Sequence, residues 1–403
     1  MKKGWETTKL SALYQIGSSK RVLKSQWKTE GVPFYRGREV TRLAADGFVE
    51  NELFVSEKHF AELSKQYGVP TAGDIVITAI GTIGNSHVVR DEDRFYFKDA
   101  SVLWMKRVTD VSSAFINFWL KSPHFFDQLD RGNGATVDTL TIQKLQSVGI
   151  LLPPLAEQRR IVGILDEAFA GLATAKANAE KNLHNARALF DSHLQSVFSQ
   201  RGKGWVETTL AEATGGILTG PFGSLLHKSD YVANGIPLVN PAHITEVGIE
   251  PDLRKTVSKT TALRLKNYIM REGDIVIGRR GEMGRCAVVT EVEDGWLCGT
   301  GSFFIKPSSR CDTSYLVRFL RSGGCKAKLE KIAGGAVMPN LSNSDLGNMA
   351  FDLPPLDQQK SILREIDALH KETTRLAAIY QQKLAALEAL KKSLLHQAFS
   401  GEL

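Results

Sequence analysis

The stretch AGDIVITAIGTIGN, residues 72–85, returns two hundred positions later as EGDIVIGRRGEMGR, residues 272–285. Seven of the 14 positions are identical: Gly73/Gly273, Asp74/Asp274, Ile75/Ile275, Val76/Val276, Ile77/Ile277, Gly81/Gly281 and Gly84/Gly284. The echo extends outward. GWETT at Gly4 returns as GWVETT at Gly204, LLPPLAEQ at Leu151 as DLPPLDQQ at Asp352, and LFDSHLQSVFS at Leu189 as LKKSLLHQAFS at Leu390. Such a period is far longer than a solenoid or propeller repeat. It implies two copies of a whole domain plus its connector. Two similar but non-identical halves suit a target with two similar but non-identical parts.

The repeat divides the chain at 1–153, 154–200, 201–353 and 354–403. The first and third segments mix short apolar β-type runs (DIVIT, SHVVR, SVLWMK, and SFFIK in the second copy) with Gly and Pro punctuation. Each also holds one helix-like stretch, SSAFINFWLKS near Ser112 and TSYLVRFLRS near Thr313. The expected fold class is α+β. The second and fourth segments open on Pro153-Pro154 and Pro354-Pro355, and proline is tolerated only in the first turn of a helix. Apolar residues then recur in steps of three and four. The first series is Ile161, Leu165, Ala168, Leu172, Ala175, Ala179, Leu183, Ala186, Phe190, Leu194 and Val197. The second is Ile362, Ile366, Leu369, Leu376, Tyr380, Leu384, Leu387, Leu390 and Leu394, with Thr373 as a polar interruption. That spacing puts each series on one helical face, with ends expected near Gly202 and Gly401. A helix of this length is about 65 Å long and needs a partner. The expectation is that the two pair as an antiparallel coiled coil, a rod with a globular domain at either end.

Composition narrows the class. Hydrophobic content of 42% and charged content of 24% are ordinary for a globular protein. No apolar run approaches the ~20 residues that span a bilayer, and MKKGWETTKL has no apolar signal region, so a cytoplasmic location is expected. Cys286, Cys298, Cys311 and Cys325 all fall in the second half without CxxC spacing, and buried free thiols are expected. Net charge is +7, with 20 basic against 17 acidic residues in 1–153 and 19 against 16 in 201–353. That surplus hints at nucleic acid.

Catalytic signatures are missing. There is no phosphate-loop GxxxxGK[ST], no complete GxGxxG after a strand, no HExxH and no GxSxG. Asn240-Pro241-Ala242-His243 lacks the second proline and the aromatic of an adenine-methylase tetrapeptide. The repeated GDIVI segment is more telling. Its glycines allow a tight loop after a strand, and the loop side chains differ between copies. Copy one carries Ala79, Ile80, Thr82 and Asn85; copy two carries Arg279, Arg280, Glu282 and Arg285. Arginine can bind guanine and asparagine adenine through paired hydrogen bonds. This makes Asn85, Arg279, Arg280 and Arg285 candidate base readers. Upstream, GVPFYRGREV at Gly31 matches GIPLVNPAHI at Gly235. Arg36 and Arg38 in one copy, and Asn240 and His243 in the other, follow the strand where loops carry function. Lys20, Arg21, His227 and Lys228 lie nearby in sequence, the lysines suited to phosphate contacts.

Taken together, the tandem layout, the LPPLAEQRRIV and LPPLDQQKSIL helix openings, the two GDIVI segments, GPFGS…GIPLVN and the closing QAFSGEL resemble the DNA-sequence-specificity subunit of type I restriction–modification systems, an HsdS-like chain. The resemblance covers essentially the whole sequence. It implies two tandem mixed α/β target-recognition domains, 1–153 and 201–353, each reading one half of a bipartite, asymmetric site in double-stranded DNA. It implies spacer helices, 154–200 and 354–403, that fix the gap. It also implies no catalysis and no cofactor in this chain: two partner modification (methyltransferase) subunits would bring S-adenosylmethionine, and a restriction/translocase subunit would use ATP and Mg. Partner contacts are expected at the duplicated helix openings, including Leu155, Gln158, Leu356 and Gln359. Recognition domains of this family diverge widely, so the DNA-contact residues rest on the loop argument alone. Two other readings stand beside this one: a fused methyltransferase–specificity enzyme, against which the missing tetrapeptide counts, and a scaffold that does not bind DNA.

Overall fold

The computed structural model describes residues 4–129, 139–334 and 340–403. The chain forms two compact units, residues 1–180 with 382–403, and residues 181–381. Each long helix is therefore shared between them. The helices run Leu155–Ser199 and Leu356–Ser400.

In the first unit a four-stranded antiparallel sheet is ordered Tyr14–Gly17, Val102–Arg107, Ile75–Thr78, Ser86–Val88. Its centre is the repeated GDIVI segment, with Ile75 opposite Met105 on one side and Val88 on the other. Ile75, Val76 and Ile77 are all buried, because this strand is covered on both faces. Asp74 starts the strand from inside. Its carboxylate accepts hydrogen bonds from the Thr71 backbone, the Arg107 backbone and the Trp104 indole, at 2.9 Å each. A second sheet places Val32–Tyr35 between Phe54–Val55 and, in parallel, Tyr96–Phe97.

The second unit repeats this order with Ile217–Thr219, Ser302–Ile305, Ile275–Gly278 and Cys286–Val288. Ile275 faces Ile305 and Val288. Asp274 is again buried, accepting from the Arg271 backbone at 2.8 Å and from Lys306 Nζ at 2.6 Å. All four cysteines are free and buried here. Burial pushes the Cys286, Cys311 and Cys325 thiols up to about 12.

Two of the sequence echoes pair with each other. Glu6–Lys9, from GWETT, runs antiparallel to Gly149–Leu152, just before the proline pair. Val206–Thr209 meets Ala350–Leu353 in the same way. Each ribbon brings the start and end of a globular segment together at the foot of a long helix.

The long helices serve two purposes. In the first unit, Ile161 and Leu165 from one helix and Leu395, Ala398 and Phe399 from the other belong to the domain core. Phe399 meets Phe115 edge-on at 5.1 Å. Further along, the two helices face each other in opposite directions, with Lys176 paired to Glu388 and Lys391 over the Phe169 ring. The Lys176–Glu388 pair is half exposed on both sides and contributes little, whereas buried side chains such as Phe399 are worth roughly 3–5 kcal/mol each. In the second unit Phe190 packs on His370, and Phe198 meets Tyr315 and Phe319 of its domain. So the apolar stripe changes partner along its length: domain core at the helix ends, the other helix between.

Three details depart from the sequence expectation. Leu390, assigned to the apolar face, is 48% exposed. Thr373, the polar interruption, is buried, its hydroxyl donating to the Leu369 carbonyl one turn back at 2.9 Å. Gly401 does end its helix, at φ 81° with the Glu402 N–H donating to the Gln397 carbonyl. Gly202 does not cap the other helix, which stops at Ser199. It is small because the Trp205 indole lies where a Cβ would be, 2.5 Å away. Among the described residues, no helix is long and apolar enough to cross a membrane.

Candidate nucleic-acid interface

The loops after Ile75–Thr78 and Ile275–Gly278 are built alike. Gly81 and Gly84 have φ of 78° and 92°, Gly281 and Gly284 of 80° and 75°, values that favour glycine. Ala79 N–H donates to the Ser101 carbonyl and Arg279 N–H to the Gly301 carbonyl, both at 2.9 Å. The backbone is thus fixed identically, while the side chain it presents is a buried methyl in one copy and a guanidinium in the other.

Among the described residues Arg279 is paired with no carboxylate. Its guanidinium lies over the Phe303 ring at 5.4 Å, and its buried Nε has no hydrogen-bond partner. Burial, then the neighbouring Arg280 charge, pulls its pKa below the usual range. Arg280 is exposed and donates to the Asn340 side chain at 3.2 Å. Arg285 is engaged by Glu282 and reaches the Pro241 carbonyl.

Other candidates are answered within their own unit. Arg36 does not sit in a loop: it caps the helix Gly37–Asp46 and pairs with Glu39 at 2.7 Å. Arg38 pairs with Glu39 at 3.1 Å and also with Glu52. Burial would raise the Glu39 carboxyl, but its hydrogen bonds from Arg36 and Arg38 outweigh this and hold it below the usual range. The stretch read as strand followed by a functional loop is therefore strand followed by a helix whose first turn is self-neutralised. Arg21 pairs with Asp99 at 2.9 Å. Lys20 is exposed, its Nζ 5.7 Å from the centre of the Tyr67 ring. Asn85 donates to the Thr41 hydroxyl at 3.1 Å.

In the second unit, Asn240 Oδ1 accepts from the Gly301 N–H at 3.3 Å, and His243 Nδ1 lies 2.9 Å from the Leu238 carbonyl. Both side chains brace the turn of residues 241–243. His227 and Lys228 are exposed, the His227 N–H capped by Asp230.

The helix-opening glutamines also prove internal. Gln158 is 2% exposed; its Oε1 accepts from the Ser112 N–H at 2.9 Å, and its Nε2 donates to the Pro153 carbonyl at 2.8 Å. Gln359 is fully buried, accepting from the Asp312 N–H at 2.7 Å and donating to the Arg310 and Pro354 carbonyls. Ser112 and Asp312 are the N-caps of the domain helices Ser113–Leu120 and Thr313–Arg321. Each glutamine therefore ties a long helix to its own domain and is buried there. Leu356 is 41% exposed, and Leu155 partly so.

The comparisons with known proteins agree with this layout. A family model, the type I restriction modification DNA specificity domain, matches residues 2–182 and again residues 224–389. The chain is similar to a putative type I restriction enzyme specificity subunit of Haemophilus influenzae, 34% identical over 168 residues; the match spans 40% of this chain and 40% of that protein's length. It is similar to the MjaVIII specificity subunit of Methanocaldococcus jannaschii, 23% identical over 99% of this chain and 93% of that protein. Its fold is similar to that of the HsdS subunit of Thermoanaerobacter tengcongensis, with a TM-score of 0.64 at 19% identity, covering 100% of this chain and 98% of that one. With the domain model matching most of the chain, once in each copy of the repeat, the protein belongs to the type I restriction–modification DNA-specificity family.

Proposed function

We propose that this chain is the non-catalytic, DNA-reading subunit of a type I restriction–modification complex. Residues 1–153 and 201–353 each read one half of a bipartite, asymmetric site. The long helices set the gap between the halves, and the exposed surface around Leu155 and Leu356 docks two methyltransferase subunits. A restriction/translocase subunit completes the complex. The observation that carries this reading is the pair of loops: one scaffold, held by the same hydrogen bonds, presents Ile80 and Asn85 beside a buried Ala79 in one copy and Arg279, Arg280 and Arg285 in the other. A fold with no target to distinguish has no need of two different loop surfaces.

The reading is tested by methylome sequencing of cells expressing this chain with its modification subunit. A bipartite, asymmetric methylated motif that requires this chain is expected. No new methylation, with the modification subunit folded and bound, would sink it.

Within this reading the candidate cations are not equal. Arg279→Ala is expected to weaken binding to the cognate duplex by about 1–3 kcal/mol and to relax one base position. Arg38→Ala should have a much smaller effect, because Glu39 and Glu52 already answer that charge. Competition with duplexes altered one base pair at a time separates the two. Equal losses would remove the distinction between free and neutralised arginines.

A further inference from the structure

The second unit contains a cleft of about 910 Å³ between its domain and its stretches of the long helices. Arg187 and Thr374 line it from the helices, Arg318, Arg321 and Lys326 from the domain, and Arg285 from the repeated loop. The first unit acts as a built-in control for this face. Phe118 and Phe126 occupy the positions matching Arg318 and Lys326. Phe118 packs edge-on against Phe169 at 5.5 Å. Phe126 lies over Gly84, where a Cβ would come within 2.7 Å of its ring, just as Lys326 lies over Gly284 at 2.7 Å. The same backbone thus accepts aromatic or cationic side chains here. The fold does not require a cation at 318 or 326, so their presence there calls for a ligand, whereas Arg321 is matched by Lys121 and is a cation in both copies.

Two of the charges are uncompensated. Arg321 is held by the Thr245, Glu246 and Cys286 carbonyls at 2.6–3.0 Å, neutral acceptors that fix the guanidinium without cancelling it. Arg187 is exposed, and among the described residues no carboxylate pairs with it. Glu282 holds Arg285 and reaches Lys326 at 3.4 Å, and Asp367 answers Arg318. Asp191 and Glu246 also line the cleft. Such interleaved charge disfavours a compact polyanion such as a nucleoside triphosphate. It suits a chain of single, spaced negative charges. Glu282 and Arg285 belong to the loop assigned above to base reading, so the cleft continues directly from that loop.

We propose that this cleft receives the phosphodiester backbone of DNA beside the half-site read by residues 279–285, with Arg187 and Arg321 as its phosphate contacts and Lys326 at the rim. This rests on the DNA-reading role proposed above. Phosphate contacts fix position and carry no sequence information, so they act on every duplex alike.

The test is the salt dependence of binding, measured on the full chain with its modification subunit, using a duplex that carries the methylated motif and an unrelated duplex. Arg187→Gln should make the slope of log affinity against log salt shallower by about 0.9, one phosphate contact, on both duplexes. Arg187→Lys should restore it. Adding Lys326→Phe, which installs the side-chain type the first copy carries, should flatten the slope further. A slope unchanged in Arg187→Gln, with the motif duplex still preferred by the wild type, overturns the cleft assignment alone. A wild-type complex with no preference for the motif duplex overturns the DNA-reading role and the cleft with it.

Discussion

Exchanging residues 1–153 for the matching segment of a relative with a different target is expected to replace one half of the methylated motif and leave the other half and the gap as they were. The boundary suits transplantation. Glu6–Lys9 and Gly149–Leu152 pair with each other, so the cut carries both strands of the closing ribbon. The tie across the junction, Gln158 to the Ser112 N–H, uses a backbone donor that any incoming sequence supplies, proline excepted. The retained loop at Arg279 keeps its own scaffold of hydrogen bonds to Gly301 and Leu341. Methylome sequencing of the hybrid reads the result directly. A motif altered in both halves would falsify the modular reading.

Gln359→Leu is expected to be the most damaging single substitution at the foot of a helix. The replacement keeps the volume but removes every hydrogen bond of a fully buried carboxamide. It orphans the Asp312 N–H and the Arg310 and Pro354 carbonyls, the last of them buried and the other two partly so. Such groups cost about 1–3 kcal/mol each when unsatisfied, and with partial relaxation a loss of about 3 kcal/mol is expected. For a unit of this size that lowers the midpoint of thermal unfolding by roughly 6–12 °C. By contrast Leu356→Ala, at a 41% exposed side chain, should leave the midpoint nearly unchanged, so any loss of partner binding there is readable as docking. A Gln359→Leu chain as stable as the wild type would show that the amide is not the tie described here.

Much of this was legible in the sequence. The proline pairs and the three-and-four spacing located the start of each helix to within two residues, because a helix start and a continuous apolar face are local properties. The paired GDIVI segments located the central strand of each sheet and the glycine loop after it. Other features were not legible. Gln158 and Gln359 read as surface groups because a polar residue in an exposed-looking first turn gives no sign that a backbone N–H from residue 112 or 312 will meet it. Arg36 and Arg38 read as free cations because their carboxylates, Glu39 and Glu52, neutralise them only once the helix Gly37–Asp46 and the following turn are formed. The cleft leaves only a faint trace in the sequence: Phe118 against Arg318 and Phe126 against Lys326 are differences between aligned copies, and Thr373 marks the helix beside it.

The sequence by itself determined that there are two copies of one domain, where each long helix begins, and which loop varies on a constant frame. These follow from periodicity, proline chemistry and glycine conformation, which act between near neighbours. Only the tertiary structure decided which charges are free, which polar groups are spent inside, and that two cations more than a hundred residues apart, Arg187 and Arg321, line one cleft. Charge compensation and burial depend on partners distant in the chain, and no local pattern records them.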